Sequence, residues 1–550
     1  MSVTTTQSKP VDLVSWPTVM RLLLAGMAVA LTETRVPTIT GEVVPLVDAA
    51  RLFLGFVVVS LALDVANRSW HLPWRRPSFA IALAFLCCLV AGWLGGVSWP
   101  NSGDEYSYIF LADTFRAGRL WDPPPPDPAL FATFHVLVKN GRMFSPYQPA
   151  WPALLVPFRA LRAEWLANPL LTVLFGTVLV GAYRRLALSP AVQKPALALV
   201  LLTPFTVFLG GSLFPQTMTC ALVAGIVWAQ LVDDVHPRSW RKLLTGALFG
   251  ILLLTRCEVF AIVALVYAVD RLVIRRYKAI PDGLLIALGV LPFAVCLAFY
   301  NDAITGNPLQ LTANWASSGI VEASGPELGR GLSFLQPGLF NLYWLGSLAQ
   351  FGGLPVLVLA AIALPVKIRQ RTCRFYDFLL PAAVVFYSFV PFTGGHQYGP
   401  RYWFWAWPLS TLTITTGLVD AFGYLRVSGR RVAFEGFAAA CLVYAGAAFC
   451  ALLLTTHTYI EARREIFDAP RPDAPAIILL PYRSLQRWWW PSPGIPAASL
   501  SFTRNDLDYT GPVLYGRSDL PDAIPRACRL GGRKVFQWVE PGRLVQVACP

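Results

Sequence analysis

Two adjacent carboxylates, Asp104 and Glu105, follow the third long apolar run of this 550-residue sequence. A carboxylate here suits a general base, because an attacking hydroxyl needs a positioned group to take its proton. The nearby apolar run favours dehydration of the acid, which raises its pKa and its basicity. The alternative is structural: acidic residues favour the first turn of a helix, and Ser102 or Asp104 would then be its cap.

A second cluster, residues 396–402, joins two later apolar runs and contains His396, Arg401 and Tyr402. An arginine beside aromatic rings suits a phosphate, because the guanidinium offers a fork of donors and keeps its charge. The alternative is an interfacial arginine whose charged end reaches the membrane surface among belt aromatics.

Arg256 and Glu258 interrupt an apolar stretch. Ionisable residues at membrane depth are functional candidates. A structural Arg–Glu pair that closes a helix end explains the same residues.

Polar loops supply the remaining candidates. Lys139 and Arg142 are cations suited to a lipid phosphate or to head groups, and they precede Tyr147 in a turn made rigid by prolines. Asn301 carries an amide suited to sugar hydroxyls, and it suits a capped loop equally well.

The composition places these residues in a membrane protein. Apolar residues make up 55% of the chain and charged residues 14%, whereas a soluble domain carries about 25% charged residues. About thirteen apolar runs approach the length needed to cross a bilayer. They are 16–33, 49–66, 78–98, 167–183, 195–211, 215–232, 243–257, 258–274, 282–300, 341–366, 376–393, 402–424 and 432–455.

Basic clusters follow every second run, which predicts that those gaps are cytoplasmic. The N-terminus is then cytoplasmic, and the segments outside are 99–166, 301–340, 394–401 and the tail from 456. This pattern also explains the net charge of +14 without a basic nucleic-acid-binding face. The expected location is a bacterial inner membrane, which the chain crosses many times.

The sequence therefore predicts an all-α polytopic membrane domain over 1–455 and a small extracytoplasmic domain of mixed structure over 456–550. In loop 99–166 we expect a helix from Asp104 towards Leu120, a break at Pro123–Pro126, and an interfacial helix over 151–165 anchored by tryptophans. If the tail is extracytoplasmic, Cys528 and Cys549 could form a disulfide.

No P-loop, HExxH, GxSxG or strand-linked GxGxxG motif occurs in the sequence. Asp104 and Glu105 are not spaced like an acidic pair that holds a metal with a nucleotide diphosphate. We assign no metal ligand and no cofactor, and leave open whether a divalent metal assists.

Taken in order, these motifs resemble the membrane glycosyltransferases of the GT-C fold, in particular the bacterial protein-mannosyltransferase and aminoarabinose-transferase-like group. The resemblance covers roughly 95–425 and is carried by 103–108, Ala112, 118–120, 140–144, 147–152, 168–170, 255–256, 300–301, 305–308 and 399–402.

The resemblance implies a catalytic acid at Asp104, an inverting transfer from a polyprenyl-phosphate sugar, and arginines that hold the donor phosphate, with Arg401 first and Arg256 second. The chain departs from the group's pattern at Gln148, at Cys257 and at Pro215-Gln216. These departures put the choice of donor or acceptor in doubt, together with any histidine-dependent metal or phosphate contact.

The expected mechanism is a single displacement in which Asp104 takes the acceptor proton and Glu105 orients the acceptor or supports Asp104. Arg401, with Arg256 as the second candidate, stabilises the departing phosphate. The acceptor is a hydroxyl of a glycan, a lipid or a protein. The alternatives are a transporter or flippase of a lipid-linked saccharide, and a membrane scaffold whose tail binds a partner. Neither explains the acidic start of a long outer loop as directly as an enzyme does.

Overall fold

The computed structural model describes residues 77–100, 102–133, 135–275, 279–317, 351–388, 398–418, 475–480, 504–540 and 543–549, with short isolated stretches between 345 and 472. The first two expected spans, most of the last one, and His396 lie outside the described residues.

The described part of the chain is mostly helical. Its α-helices are α1 Pro77–Trp93, α2 Gly103–Arg116, α3 Ala150–Ala160, α4 Ala167–Arg185, α5 Pro190–Leu201, α6 Pro204–Gly211, α7 Gln216–Val235, α8 Ser239–Thr255, α9 Cys257–Arg275, α10 Ala279–Thr305, α11 Thr312–Ser317, α12 Leu354–Gln370, α13 Leu379–Ser388, α14 Ser410–Gly417 and α15 Ala523–Arg529. Its strands are β1 Leu137–Lys139, β2 Arg142–Phe144, β3 Ala476–Leu480, β4 Val513–Arg517, β5 Lys534–Glu540 and β6 Arg543–Val547.

Among the described residues, three helices are long and apolar enough to cross a membrane, namely Glu164–Arg185 (α4 with the preceding 3-10 turn), α7 and α10. The expected run 195–211 is instead a bent pair, α5 and α6, with an angle of 56° between the helices. Pro204 causes the break, because proline lacks the N–H that would continue the helix, and Thr203 caps α6 by accepting from the backbone N–H of Thr206. The total of thirteen spans remains a prediction.

Helices α8 and α10 approach each other through glycines. A Cβ added at Gly246 would overlap the carbonyl oxygen of Ile286, and one added at Gly289 would overlap that of Leu243. Only glycine allows two helix backbones to come this close, as in other small-residue membrane contacts. This packing fixes α10, whose C-terminal end carries Tyr300 and Asn301; Tyr300 contacts the loop 99–166, the outer loop, which is expected outside the membrane.

The outer loop begins with α2 and continues through the antiparallel hairpin β1–β2 to α3. The expected helix is confirmed but ends at Arg116. Helix α3 also forms, yet Trp151 is only 1% exposed and its indole N–H donates to the carbonyl oxygen of Leu213 at 2.9 Å. Trp151 is therefore a core residue rather than an interfacial anchor.

The C-terminal part is a four-stranded sheet in the order β4–β3–β5–β6, with β3 parallel to both neighbours and β5 antiparallel to β6. Cys528 and Cys549 form a disulfide, as the sequence suggested. Leu130 and Phe131 of the outer loop are buried among the sheet's apolar side chains. The tail is thereby docked onto the loop that carries Asp104.

Candidate functional site

Asp104 lies at the start of α2, where Ser102 caps the helix by accepting from the Glu105 N–H at 3.2 Å. The Asp104 carboxylate is the centre of a polar cluster. Arg401 Nη2 lies 2.5 Å from Asp104 Oδ2, and the Tyr147 hydroxyl donates to Oδ1. The cap fixes the helix, and the helix aims the carboxylate at these partners.

Arg401 opens the 3-10 turn Arg401–Trp403 near the start of the described segment 398–418, two residues after Gly399, which has a φ of 92°. The residue is 5% exposed, and its guanidinium carbon lies 4.2 Å from the Phe214 ring centroid. Within the described chain, Arg401 Nε and Nη1 have no hydrogen-bond partner. Buried donors of a permanent cation are costly to leave unpaired, so this geometry fits an anionic ligand.

Arg256 lies between α8 and α9 and adds a second cation. Its Nε contacts Glu258 Oε1 at 2.7 Å, the Arg–Glu pair considered from the sequence. Its guanidinium carbon is 5.1 Å from the Tyr402 ring centroid, and that of Arg401 is 5.6 Å from the same ring. Two arginines from distant parts of the sequence thus flank one tyrosine, as cation–π contacts allow.

The electrostatics of Asp104 differ from the expectation. Burial does act to raise its pKa, but the positive charge of Arg401, the nearby His135 and the hydrogen bonds from Tyr147 and Arg401 outweigh it. The pKa of Asp104 is lowered to about 2. The expected gain in basicity is therefore wrong for this state of the site, because the carboxylate has close partners that favour its charged form.

His135 belongs to the site, although the sequence pattern did not single it out. Its Nε2 lies 3.6 Å from Asp104 Oδ1, and its ring centroid lies 5.8 Å from that of Tyr147. Its backbone is left-handed, with a φ of 61°, and its carbonyl oxygen accepts from the Ser107 hydroxyl at 2.6 Å. Burial lowers the pKa of His135 from its ordinary 6.5, while Asp104 opposes this shift and Arg401 adds to it.

Glu105 points away from this cluster. The residue is fully buried, and its carboxylate accepts from the Leu213 N–H at 3.1 Å and from the Ser102 hydroxyl at 3.1 Å. The Ser102–Glu105 pair closes the first turn of α2 and ties it to Leu213. Glu105 therefore holds the first turn of the helix together with the Ser102 cap, in agreement with the structural alternative.

Three other candidates bind protein groups. Lys139 donates to the Trp315 carbonyl at 2.8 Å, and Arg142 Nη1 donates to the Ala303 and Ile304 carbonyls at the end of α10. Asn301 is 3% exposed and its amide donates to the Pro308 carbonyl at 3.2 Å. Lys139 and Arg142 thus fix the β1–β2 hairpin to α11 and α10, and Asn301 ties α10 to the turn that follows it.

Among the described residues, no group of three or more His, Cys, Asp or Glu side chains is arranged to hold a metal ion. His396 lies outside the described residues, so its place relative to Arg401 stays a prediction.

Comparison with known proteins gives similar structures but no sequence family. No family model matches the chain, and no curated protein matches it. The ArnT structure from Cupriavidus metallidurans bound to undecaprenyl phosphate is 15% identical, with a TM-score of 0.49 over 84% of this chain and 92% of that one. The apo ArnT structure is 12% identical, with a TM-score of 0.48 over 82% and 87%.

The archaeal oligosaccharyltransferase AglB from Archaeoglobus fulgidus, in complex with an inhibitory peptide and a dolichol-phosphate, is 10% identical. Its TM-score is 0.47, over 84% of this chain and 69% of that one. ArnT, an aminoarabinose transferase, and AglB are both GT-C fold enzymes, the fold that the sequence resembles.

Proposed function

We propose that this protein is an inverting glycosyltransferase that moves a sugar from a polyprenyl-phosphate donor to an acceptor hydroxyl on the extracytoplasmic face of the membrane. The observation that carries the proposal is the buried guanidinium of Arg401, which contacts Asp104 through Nη2 and has no partner for Nε or Nη1 among the described residues. A cation with two unused buried donors fits an anion brought by the substrate.

The donor phosphate is the anion that best fits Arg401. A guanidinium matches phosphate oxygens with parallel N–H donors and stays charged when buried. Arg256, which flanks the same Tyr402 ring, is the second phosphate ligand. When the anomeric carbon–oxygen bond breaks, the phosphate gains one negative charge, and fixed cations stabilise it without reorganising.

Asp104 supplies the negative charge of the site, and in this proposal the acceptor hydroxyl binds beside its carboxylate. A carboxylate with a pKa of about 2 stays ionised and binds protons weakly. It therefore acts as a fixed anion, which stabilises positive charge on the sugar and on the acceptor as the new bond forms. Tyr147 and Arg401 hold its two oxygens in place.

The test uses purified full-length protein in lipid with a panel of labelled polyprenyl-phosphate sugars and follows the release of polyprenyl phosphate. We expect turnover by the wild type and a fall of about 100-fold or more for Asp104→Asn, the effect typical of removing one preorganised charged group. The matched control is Asp302→Asn, because Asp302 is an exposed aspartate at the outer end of α10. It should behave like the wild type.

Two outcomes would contradict the proposal. Equal turnover by Asp104→Asn and wild type would remove Asp104 from the chemistry. Folded wild-type protein that releases no polyprenyl phosphate from any donor, yet moves a labelled lipid-linked saccharide across vesicles, would favour the flippase alternative.

A further inference from the structure

Both carboxylate oxygens of Asp104 already have close partners, so Asp104 is poorly placed to accept the proton of the acceptor hydroxyl. Arg401 and Tyr147 occupy its two oxygens, and both contacts favour the ionised form. Transfer to an acceptor hydroxyl nevertheless releases one proton. A second group near Asp104 must take it, since general-base catalysis works best with a group whose pKa is near the operating pH.

His135 is that group by position. It is the histidine that lies beside the Asp104 carboxylate in the described part of the chain, with Nε2 at 3.6 Å from Oδ1, whereas Arg401 contacts Oδ2. This separation is longer than a direct hydrogen bond, but contacts of this kind often tighten only when substrate binds. An imidazole beside a carboxylate that orients it is a recurring pair for deprotonating a hydroxyl near neutral pH.

The position of His135 is fixed by its backbone conformation and by a hydrogen bond to its carbonyl oxygen. Its φ of 61° is unusual for a residue with a side chain, and such conformations persist only where surrounding contacts fix them. The Ser107 hydroxyl, which also contacts Ser145 Oγ at 2.7 Å, donates to the His135 carbonyl oxygen. Ser107 lies on α2 one turn after Asp104, so the same helix fixes both members of the pair.

We infer that His135 takes the proton of the acceptor hydroxyl, with Asp104 orienting its ring and stabilising the imidazolium that forms; this inference rests on the proposed glycosyl transfer. The acceptor oxygen forms the new bond to the anomeric carbon, and the bond from that carbon to the phosphate oxygen breaks. The proton of the acceptor passes to the imidazole, and the electron pair leaves with polyprenyl phosphate. The new positive charge on His135 balances the charge gained by the phosphate.

The charged and titratable groups that face His135 fix the sign of its pH dependence. Among the described residues they include Asp104, Arg401 and Tyr147. Burial and Arg401 lower the pKa of the imidazole, and Asp104 raises it. The free base is therefore present at neutral pH, and turnover should fall as the pH drops through a value below the ordinary 6.5.

The first measurement compares His135→Asn with His236→Asn in lipid, at saturating donor, across pH. Asparagine is chosen because it tolerates a left-handed backbone, and His236 is the control because it lies after α7, in a gap expected to be cytoplasmic. We expect His135→Asn to lower kcat by about 100-fold or more, to leave donor binding unchanged and to lose the acidic limb of the pH profile. Wild-type kcat with an intact acidic limb in His135→Asn would overturn the inference.

A second measurement does not depend on activity. Histidine-labelled protein, with His135→Asn used to assign the signal, is titrated by NMR as wild type and as Asp104→Asn. Removal of the carboxylate should lower the pKa of His135, because the carboxylate favours the imidazolium. An unchanged pKa would overturn the dyad. If the wild type turns over no donor, the proposed function fails, and this titration still decides whether the dyad exists.

Discussion

At the scale of single residues, Arg401 is expected to act through its shape as well as its charge. Arg401→Lys keeps the positive charge but loses the planar fork that serves Asp104 and a phosphate together. We expect turnover to fall by about 10- to 100-fold for the lysine variant and by about 100- to 1,000-fold for Arg401→Ala, which removes a preorganised charge. Release of polyprenyl phosphate measures both.

The matched control for Arg401→Lys is Arg142→Lys. Arg142 donates to the Ala303 and Ile304 carbonyls at the end of α10, and a lysine can also donate to the last carbonyls of a helix. That variant should keep most of its activity. Equal losses in the two lysine variants would mean that Arg401 acts only as part of the fold.

Glu105 is expected to contribute to stability rather than to chemistry. Glu105→Ala leaves the buried Leu213 N–H without this acceptor, at a cost of about 1–3 kcal/mol in the free energy of unfolding. Thermal unfolding should therefore shift to lower temperature. Glu105→Gln, which keeps an acceptor oxygen in place, should retain turnover per folded molecule; a folded Glu105→Gln protein without turnover would return Glu105 to the active site.

Some residues of the site can be predicted from the sequence, whereas the partners that they contact cannot. Asp104, Arg256, Arg401 and Tyr402 are candidates from their charge or ring type beside apolar runs, and Tyr147 is one from its place in a proline-rich turn; the structure brings them together. Their partners could not be predicted this way. His135 reaches Asp104 through a loop and a left-handed turn, with no periodic spacing that would mark it.

At the scale of elements, the glycine contact between α8 and α10 should control the outer end of α10. Gly246→Ala places a methyl group against the Ile286 carbonyl and must push the two helices apart. Tyr300, whose hydroxyl donates to the Tyr147 carbonyl at 3.2 Å, would move with α10. We expect a lower unfolding temperature and reduced turnover, both measured in lipid.

Gly283→Ala is the control for this substitution, because Gly283 lies on the partner helix α10 with nothing near an added Cβ. It should raise stability slightly or leave it unchanged, since alanine favours a helix more than glycine does. If both alanine variants melt alike, the close approach of α8 and α10 does not contribute to stability.

The sequence predicts the long apolar helices better than it predicts the α5–α6 break or the pairing of the strands. Hydropathy located α7 and α10 well, because a lipid-facing helix needs a long apolar run. The break between α5 and α6 has an equally apolar sequence on both sides, so only Pro204 marked it. The strands β3–β6 are short, and their pairing joins segments far apart in the chain, so the sequence predicted a mixed tail without its topology.

At the scale of the whole molecule, the tail is expected to hold the active-site loop. Leu130 and Phe131 are 0% and 1% exposed and pack among Ile477, Leu479 and Leu514 of the tail. The Leu130 carbonyl accepts from the Arg517 N–H at 2.9 Å, and Arg526 contacts Asp127 at 3.2 Å. His135 follows Leu130 by five residues, so a loop released from the tail would lose its aim at Asp104.

Leu130→Asp should detach the tail, because a carboxylate cannot be buried unpaired in that apolar cluster. The expected result is faster proteolysis of the tail and reduced kcat, with donor binding unchanged, since Arg401 and Arg256 lie on other elements. Val138→Asp is the control on an exposed position of the same loop. A detached tail with wild-type kcat would show that α2 and Ser107 alone hold His135 in place, and that the tail serves the acceptor or another part of the molecule.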